Sequence, residues 1–190
     1  MIWRLIKEAF SPTRPPDWAY DVKEQPSDDG HRIALTQEGF SHGRDEDVAF
    51  VRDALDANQS ARGIDLRRHG TPASAERLRQ VGVRSNAIMS QEFLAILTDK
   101  GLSDPIAAAH VIASAYLGRA AQTKALSRPA HAGITMVEVI PNNMAAGPCR
   151  ACLKLAKKPI PIEQAPIGPL PECPHPSQCK LWTRSVLSFD

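Results

Sequence analysis

The chain is poor in the features that most readily betray a function. Aromatic residues make up only 5% of its 190 positions and are not interleaved with basic ones, so no base-stacking surface is indicated. No run of about 18 apolar residues occurs, which excludes a helix that spans a bilayer. Neither sign of charge dominates. The 23 Lys and Arg face 21 Asp and Glu, a formal net of +2, and this excludes nucleic-acid binding driven by bulk positive charge. There is no glycine-rich phosphate loop, no helical zinc-protease motif and no internal repeat of about 20–50 residues. The opening stretch places Arg4, Lys7 and Glu8 too early for a secretory signal, so a cytoplasmic protein is expected. Cysteine is missing until Cys149.

What is present is unevenly spread. Residues 1–60 hold 7 basic and 12 acidic side chains, residues 61–143 hold 10 and 6, and residues 144–190 hold 6 and 3. The near-neutral total averages an acidic front and a basic rear, which keeps open a weak, local contact of that rear with nucleic acid or an acidic protein. Nine of the 16 prolines lie between Pro141 and Pro176. Each ring there removes a donor and clashes with the preceding turn, so the tail is expected to lack a helix or a long strand. Three parts follow: residues 1–44, an N-terminal amphipathic helix and extended linker; residues 45–143, a helical domain with a following strand; and residues 144–190, a proline-rich C-terminal module.

In the first part, Ile2, Leu5, Ile6, Ala9 and Phe10 recur at helical spacing before Pro12, a short stripe suited to packing on its own domain or docking on a partner. Pro12, Pro15, Pro16 and Pro26 read as a linker, and residues 21–44 as irregular with one short strand at 31–35. In the second, Val48, Val51, Ala54 and Leu55 share one stripe of a helix from Asp45 to about Ala57. Thr71-Pro72 predicts a helix start and Gly82 its stop, while Ser90 caps a helix bearing Phe93, Leu94 and Leu97 and ended by Gly101. Asp104-Pro105 opens the longest helix, to about Leu126 and closed before Pro129. Its expected face runs Ile106, Ala109, His110, Ala113, Leu117 and Ala120, with His110 a core histidine. Ile134 to Ile140 turns β-branched and reads as a strand. The fold class expected is α+β: a small, mainly helical domain, a strand, and a zinc-stapled tail.

The strongest chemical signal is Cys149-Arg-Ala-Cys152, then 20 residues, then Cys173-Pro-His175-Pro-Ser-Gln-Cys179. A two-residue gap lets one tight turn present two thiolates to one ion, and a distant second pair completes a tetrahedron around structural zinc. Thiolates are soft ligands and stay reduced in a cytoplasmic chain. Metal binding would also supply folding energy to a proline-rich segment with few other means of ordering. Cys149, Cys152, Cys173 and Cys179 form the simplest ligand set; His175, spaced His-x3-Cys from Cys179, could replace Cys173. A redox dithiol or disulfide at Cys149 and Cys152 is the metal-free alternative.

Two other chemistries meet these residues in part. Pro148-Cys149-Arg-Ala-Cys152 matches half of the zinc-deaminase signature, which makes a zinc-dependent hydrolase or deaminase the competing class. The upstream His-x-Glu is missing, and Glu138 lies seven residues after His131. Arg68-His69-Gly70-Thr71 resembles the Arg-His-Gly of histidine phosphatases. It lacks that family's preceding core strand and later partner, and is read as a basic solvated turn.

The tail as a whole resembles that of Mu-type phage head-morphogenesis proteins. The likeness rests on Cys149, Cys152, Leu155, Lys158, Glu163, Pro166, His175, Pro176 and Cys179, about 40 of the 190 residues. This chain places Cys173 before the His-Pro and lacks the family's closing Cys-Arg-Cys. The resemblance implies a non-catalytic, virion-associated minor capsid component, with zinc holding a docking surface for capsid or portal proteins.

Overall fold

Acidic residues in a first turn and an apolar stripe behind them show how local sequence sets one of the first helices. The computed structural model describes residues 28–56, 63–141, 147–156, 158–170, 172–174 and 181–186. The expected N-terminal helix, the proline linker behind it, His175 and Cys179 lie outside the described residues. Helix α2 (Asp45–Asp56) puts Asp45, Glu46 and Asp47 in its first turn, where they meet the positive end of the helix dipole. Its Val48, Val51, Ala54 and Leu55 are buried as the spacing predicts.

Residues 31–35 form no strand. They lie in helix α1 (Asp28–Thr36). His31, Ala34 and Leu35 are buried while Ile33 is 40% exposed, a helical period that outweighs the β-branched character of one residue. Beyond α2, where the sequence indicates only a turn, Gly63–Arg68 is a short helix, α3, whose Leu66 is fully buried.

Thr71 and Pro72 do not start a helix. Pro72 bridges Ser90, and the Ala73 amide donates to the Met89 carbonyl at 2.8 Å, so these residues join two segments instead. Ser74 takes over as cap of α4 (Ala75–Gln80), its hydroxyl accepting from the Arg77 amide at 3.1 Å. Ser90 does cap α5 (Gln91–Ile96), accepting from Phe93 at 3.1 Å. That helix ends sooner than expected, because Leu97 turns extended and bridges Ser41. Thr98 then caps α6 (Asp99–Ser103), which contains Gly101 instead of stopping at it. A Cβ at Gly101 would run into the Phe40 carbonyl, so glycine is needed here for close approach.

Helix α7 (Pro105–His131) is capped by Asp104, whose carboxylate accepts from the Ala107 amide at 3.0 Å. It runs through Pro129, since a proline so near the end removes one hydrogen bond only. The end is closed by Gly133 at φ 78° and by the Ile134 amide on the Pro129 carbonyl at 3.0 Å. The buried face is Ala108, Ala109, Ile112, Ala113, Ala115 and Tyr116, which shares Ala109 and Ala113 with the expected stripe but is rotated away from Ile106 and His110. Ile106 is 45% exposed and His110 faces solvent, so His110 is not a core histidine. The stripe that wins is the one that brings Ile112 and Tyr116 onto Leu35, Val51, Leu66 and Phe93 in the main core.

The strand at the end of this region is β1 (Met136–Pro141). It is the centre of a three-stranded antiparallel sheet with β2 (Pro159–Pro161) and β3 (Leu181–Ser185) on its edges. Prolines in β2 are tolerated because that strand is an edge. The tail also holds a helix, α8 (Arg150–Leu155), against expectation: six residues fit between Pro148 and Pro159 without a ring inside them. The fold is α+β. Among the described residues, no helix is long and apolar enough to cross a membrane.

Candidate metal centre

The cysteine pair is built by the start of α8. Pro148 restricts the chain just before it, and Cys149 occupies the cap position with extended backbone, φ −69° and ψ 162°. Its sulfur accepts from the Cys152 amide at 3.4 Å, a place usually filled by a hydroxyl or carboxylate oxygen. One helical turn brings the two sulfurs to 3.2 Å. Cys152 is 6% exposed and belongs to a small core with Val139, Leu170 and Leu181; Cys149, Cys173, Leu155 and Ile160 pack against it.

Cys173 thus reaches the same cluster as the first pair from across the proline-rich insert. Its amide donates to the Leu170 carbonyl at 3.0 Å, which fixes the turn that carries it. Cys149, Cys152 and Cys173 form no disulfide among the described residues. Burial pushes the Cys149 thiol up, but hydrogen bonds from the Cys152 amide and thiol, the Cys173 thiol and the Ala151 amide outweigh it. The net effect holds Cys149 below the ordinary 9.0. A thiolate so favoured is both a better metal ligand and a better nucleophile.

Two tests of fit give different answers. The donor chemistry suits zinc: three soft sulfurs share one apolar cluster. The geometry does not yet form a site, and among the described residues no three His, Cys, Asp or Glu side chains are arranged to hold a metal ion. Sulfurs about 2.3 Å from one tetrahedral ion stand about 3.8 Å apart. The 3.2 Å pair must therefore open by roughly 0.6 Å to accept zinc. His175 and Cys179, the remaining candidates, lie outside the described residues.

The carboxylates considered for the competing chemistry have other duties. Glu138 stands opposite Arg184 across the β1–β3 ladder and is held by its guanidinium at 2.6 Å. Glu163 sits on the exposed 3₁₀ turn Ile162–Gln164. His131 is exposed at the end of α7, its Nδ1 against the Ser127 carbonyl at 2.7 Å. The Arg68-His69-Gly70-Thr71 segment is an exposed turn. Glu92 accepts from the Thr71 amide at 2.8 Å, and the His69 ring tilts against Phe50 at 5.4 Å.

Comparison of the chain with known protein families, curated proteins and solved structures finds no match.

One group of working residues carries no sequence signal. Gln37, just after α1, donates to the Leu170 carbonyl at 2.6 Å across 133 positions. From α7, Arg119 donates to the Ile167 carbonyl at 3.5 Å and Gln122 accepts from the Gly168 amide at 2.6 Å. Together they pin the loop that delivers Cys173. Isolated polar residues at such separations have no motif, and only the folded chain reveals them.

Proposed function

We propose that residues 144–190 form a module closed by one structural zinc ion, and that the protein is an interaction component which catalyses nothing. The observation that carries this reading is the convergence of Cys149, Cys152 and Cys173 on one apolar cluster from opposite ends of a 20-residue insert. Cys179 or His175 supplies the fourth ligand. Zinc bound by four protein groups has no open position for water, so its contribution is cross-linking and not Lewis-acid chemistry. The likeness of the tail to Mu-type phage head-morphogenesis proteins supports a head-associated role, with capsid or portal proteins as partners. Zinc analysis of the purified chain tests the first step, with about one ion per chain expected. A well-folded chain that carries no zinc would sink the reading.

The zinc-dependent hydrolase or deaminase is favoured by one observation: both cysteines stand at a helix start that follows a proline, as in that signature. It requires a carboxylate beside the metal to move protons, and Glu138 is held by Arg184. X-ray absorption at the zinc edge separates the classes. Four protein ligands support the structural site, and three with a water support the enzyme.

A further inference from the structure

The second half of α7 lies partly uncovered. Gly118, Ala121 and Ala125 of this helix, Pro166 of the insert and Leu181 and Trp182 of β3 line a largely apolar cavity of about 240 Å³. Trp182 on its rim is 60% exposed, the largest such figure among the exposed apolar side chains of the described residues. Small-molecule pockets commonly run to about 300–1,000 Å³, so this volume fits one or two large apolar side chains better than a cofactor. Small residues on α7 also allow a second helix to approach closely.

We infer that the groove is the seat of the chain's own N-terminal segment, residues 2–10, which docks there in cis through Ile6 and Phe10. Three observations select this occupant. The described chain starts near the groove: Gly30 of α1 lies against the Arg119 guanidinium, which also donates to the Ile167 carbonyl, next to the groove residue Pro166. The connection is long enough, because residues 11–27 in extended proline-rich form reach about 50 Å. The groove itself runs along only about 12 Å of α7. The chemistry also matches, since Ile2, Leu5, Ile6, Ala9 and Phe10 recur in the sequence as an apolar stripe at helical spacing. A helix of about ten residues is unstable alone and needs such a surface. Tethering helps further: with an effective concentration near 1 mM, a segment of only about 0.1 mM affinity is about 90% docked.

Hydrogen exchange on the full chain decides the matter. Amides of residues 2–10 are expected to exchange about tenfold more slowly in the protein than in the free peptide 1–11. Ile6→Asp and Phe10→Asp should abolish that protection and speed exchange at residues 118–126 and 181–185. Ala121→Arg, which fills the groove from the other side, should release residues 2–10 while the fold stays intact. Exchange of residues 2–10 at the free-peptide rate in the unaltered protein would overturn the inference. So would protection that grows with protein concentration, which would make a second copy the occupant.

Discussion

The two ends of the molecule are held together by different means. The helical part buries Phe93, Leu55, Leu66, Leu94 and Ile112 almost completely, drawn from helices α2, α3, α5 and α7. The C-terminal module has a core of Val139, Cys152, Leu170 and Leu181, with thiols as two of the groups packed against it. A core that small stabilises little by burial, and natural modules of this size rely on cross-links. The module leans on Gln37, Arg119 and Gln122 of the helical part, and the proposed zinc site would add a cross-link through its cysteines. One part of the chain thus buries a large core, and the other ties a small core to it by side-chain hydrogen bonds.

The comparison breaks most visibly at the cysteines. Cys149→Ser, Cys152→Ser or a strong chelator should unfold the module and leave the helices, since metal-linked folding in zinc modules is worth on the order of 10 kcal/mol. Exchange at 136–141 and 181–185 would become fast while far-ultraviolet circular dichroism falls only slightly. Equal loss from both parts would deny the separation. In the helical part the largest single effect should come from Phe93→Ala, at about 3–5 kcal/mol, because its fully buried ring leaves a cavity. Urea titration measures it.

Smaller effects sharpen the picture. Ser90 and Ser74 cap neighbouring helices with the same 3.1 Å bond, but Ser90 is 1% exposed and Ser74 is solvated. Ser90→Ala should cost about 1–2 kcal/mol and Ser74→Ala about 0.5, again by urea titration. Smallest is an acid effect at Glu92. Hydrogen bonds from its own amide and from the Thr71 hydroxyl and amide hold its carboxyl below 4.5. That stabilisation is present above 4.5 and fades as pH falls through the lower folded value. Glu92→Gln should therefore flatten the loss of melting temperature between about pH 5 and 3.

Much of the helical part was legible because apolar spacing and caps act locally. Asp45–Asp56 is read from its stripe, and Ser90 and Asp104 are read as caps that the structure uses. The errors come from competition at longer range. Thr71-Pro72 has the chemistry of a helix start, but its neighbours pair with Met89 and Ser90. The α7 face shifts because Tyr116 stacks on His31, at 4.4 Å between ring centres, a contact that no local pattern encodes. In the tail, the cysteine spacing pointed to a zinc site; Cys149, Cys152 and Cys173 pack on one small core, but no three of the described His, Cys, Asp or Glu side chains are arranged to hold an ion. The short helix α8 was missed because proline density was read as an average, when only the gap from Pro148 to Pro159 mattered.

Helix α7 also works as a measure of length. Its 27 residues at about 1.5 Å each make a rod of about 40 Å, its first half sunk in the helical core and its second half beneath the sheet and the cysteine-bearing loop. A rod shared in this way fixes the spacing between whatever meets one end and whatever meets the other. A partner that grips the helical face is thereby held at a set distance and angle from one that grips the tail. For a component placed between two larger bodies, that gauge is a property neither half would have alone.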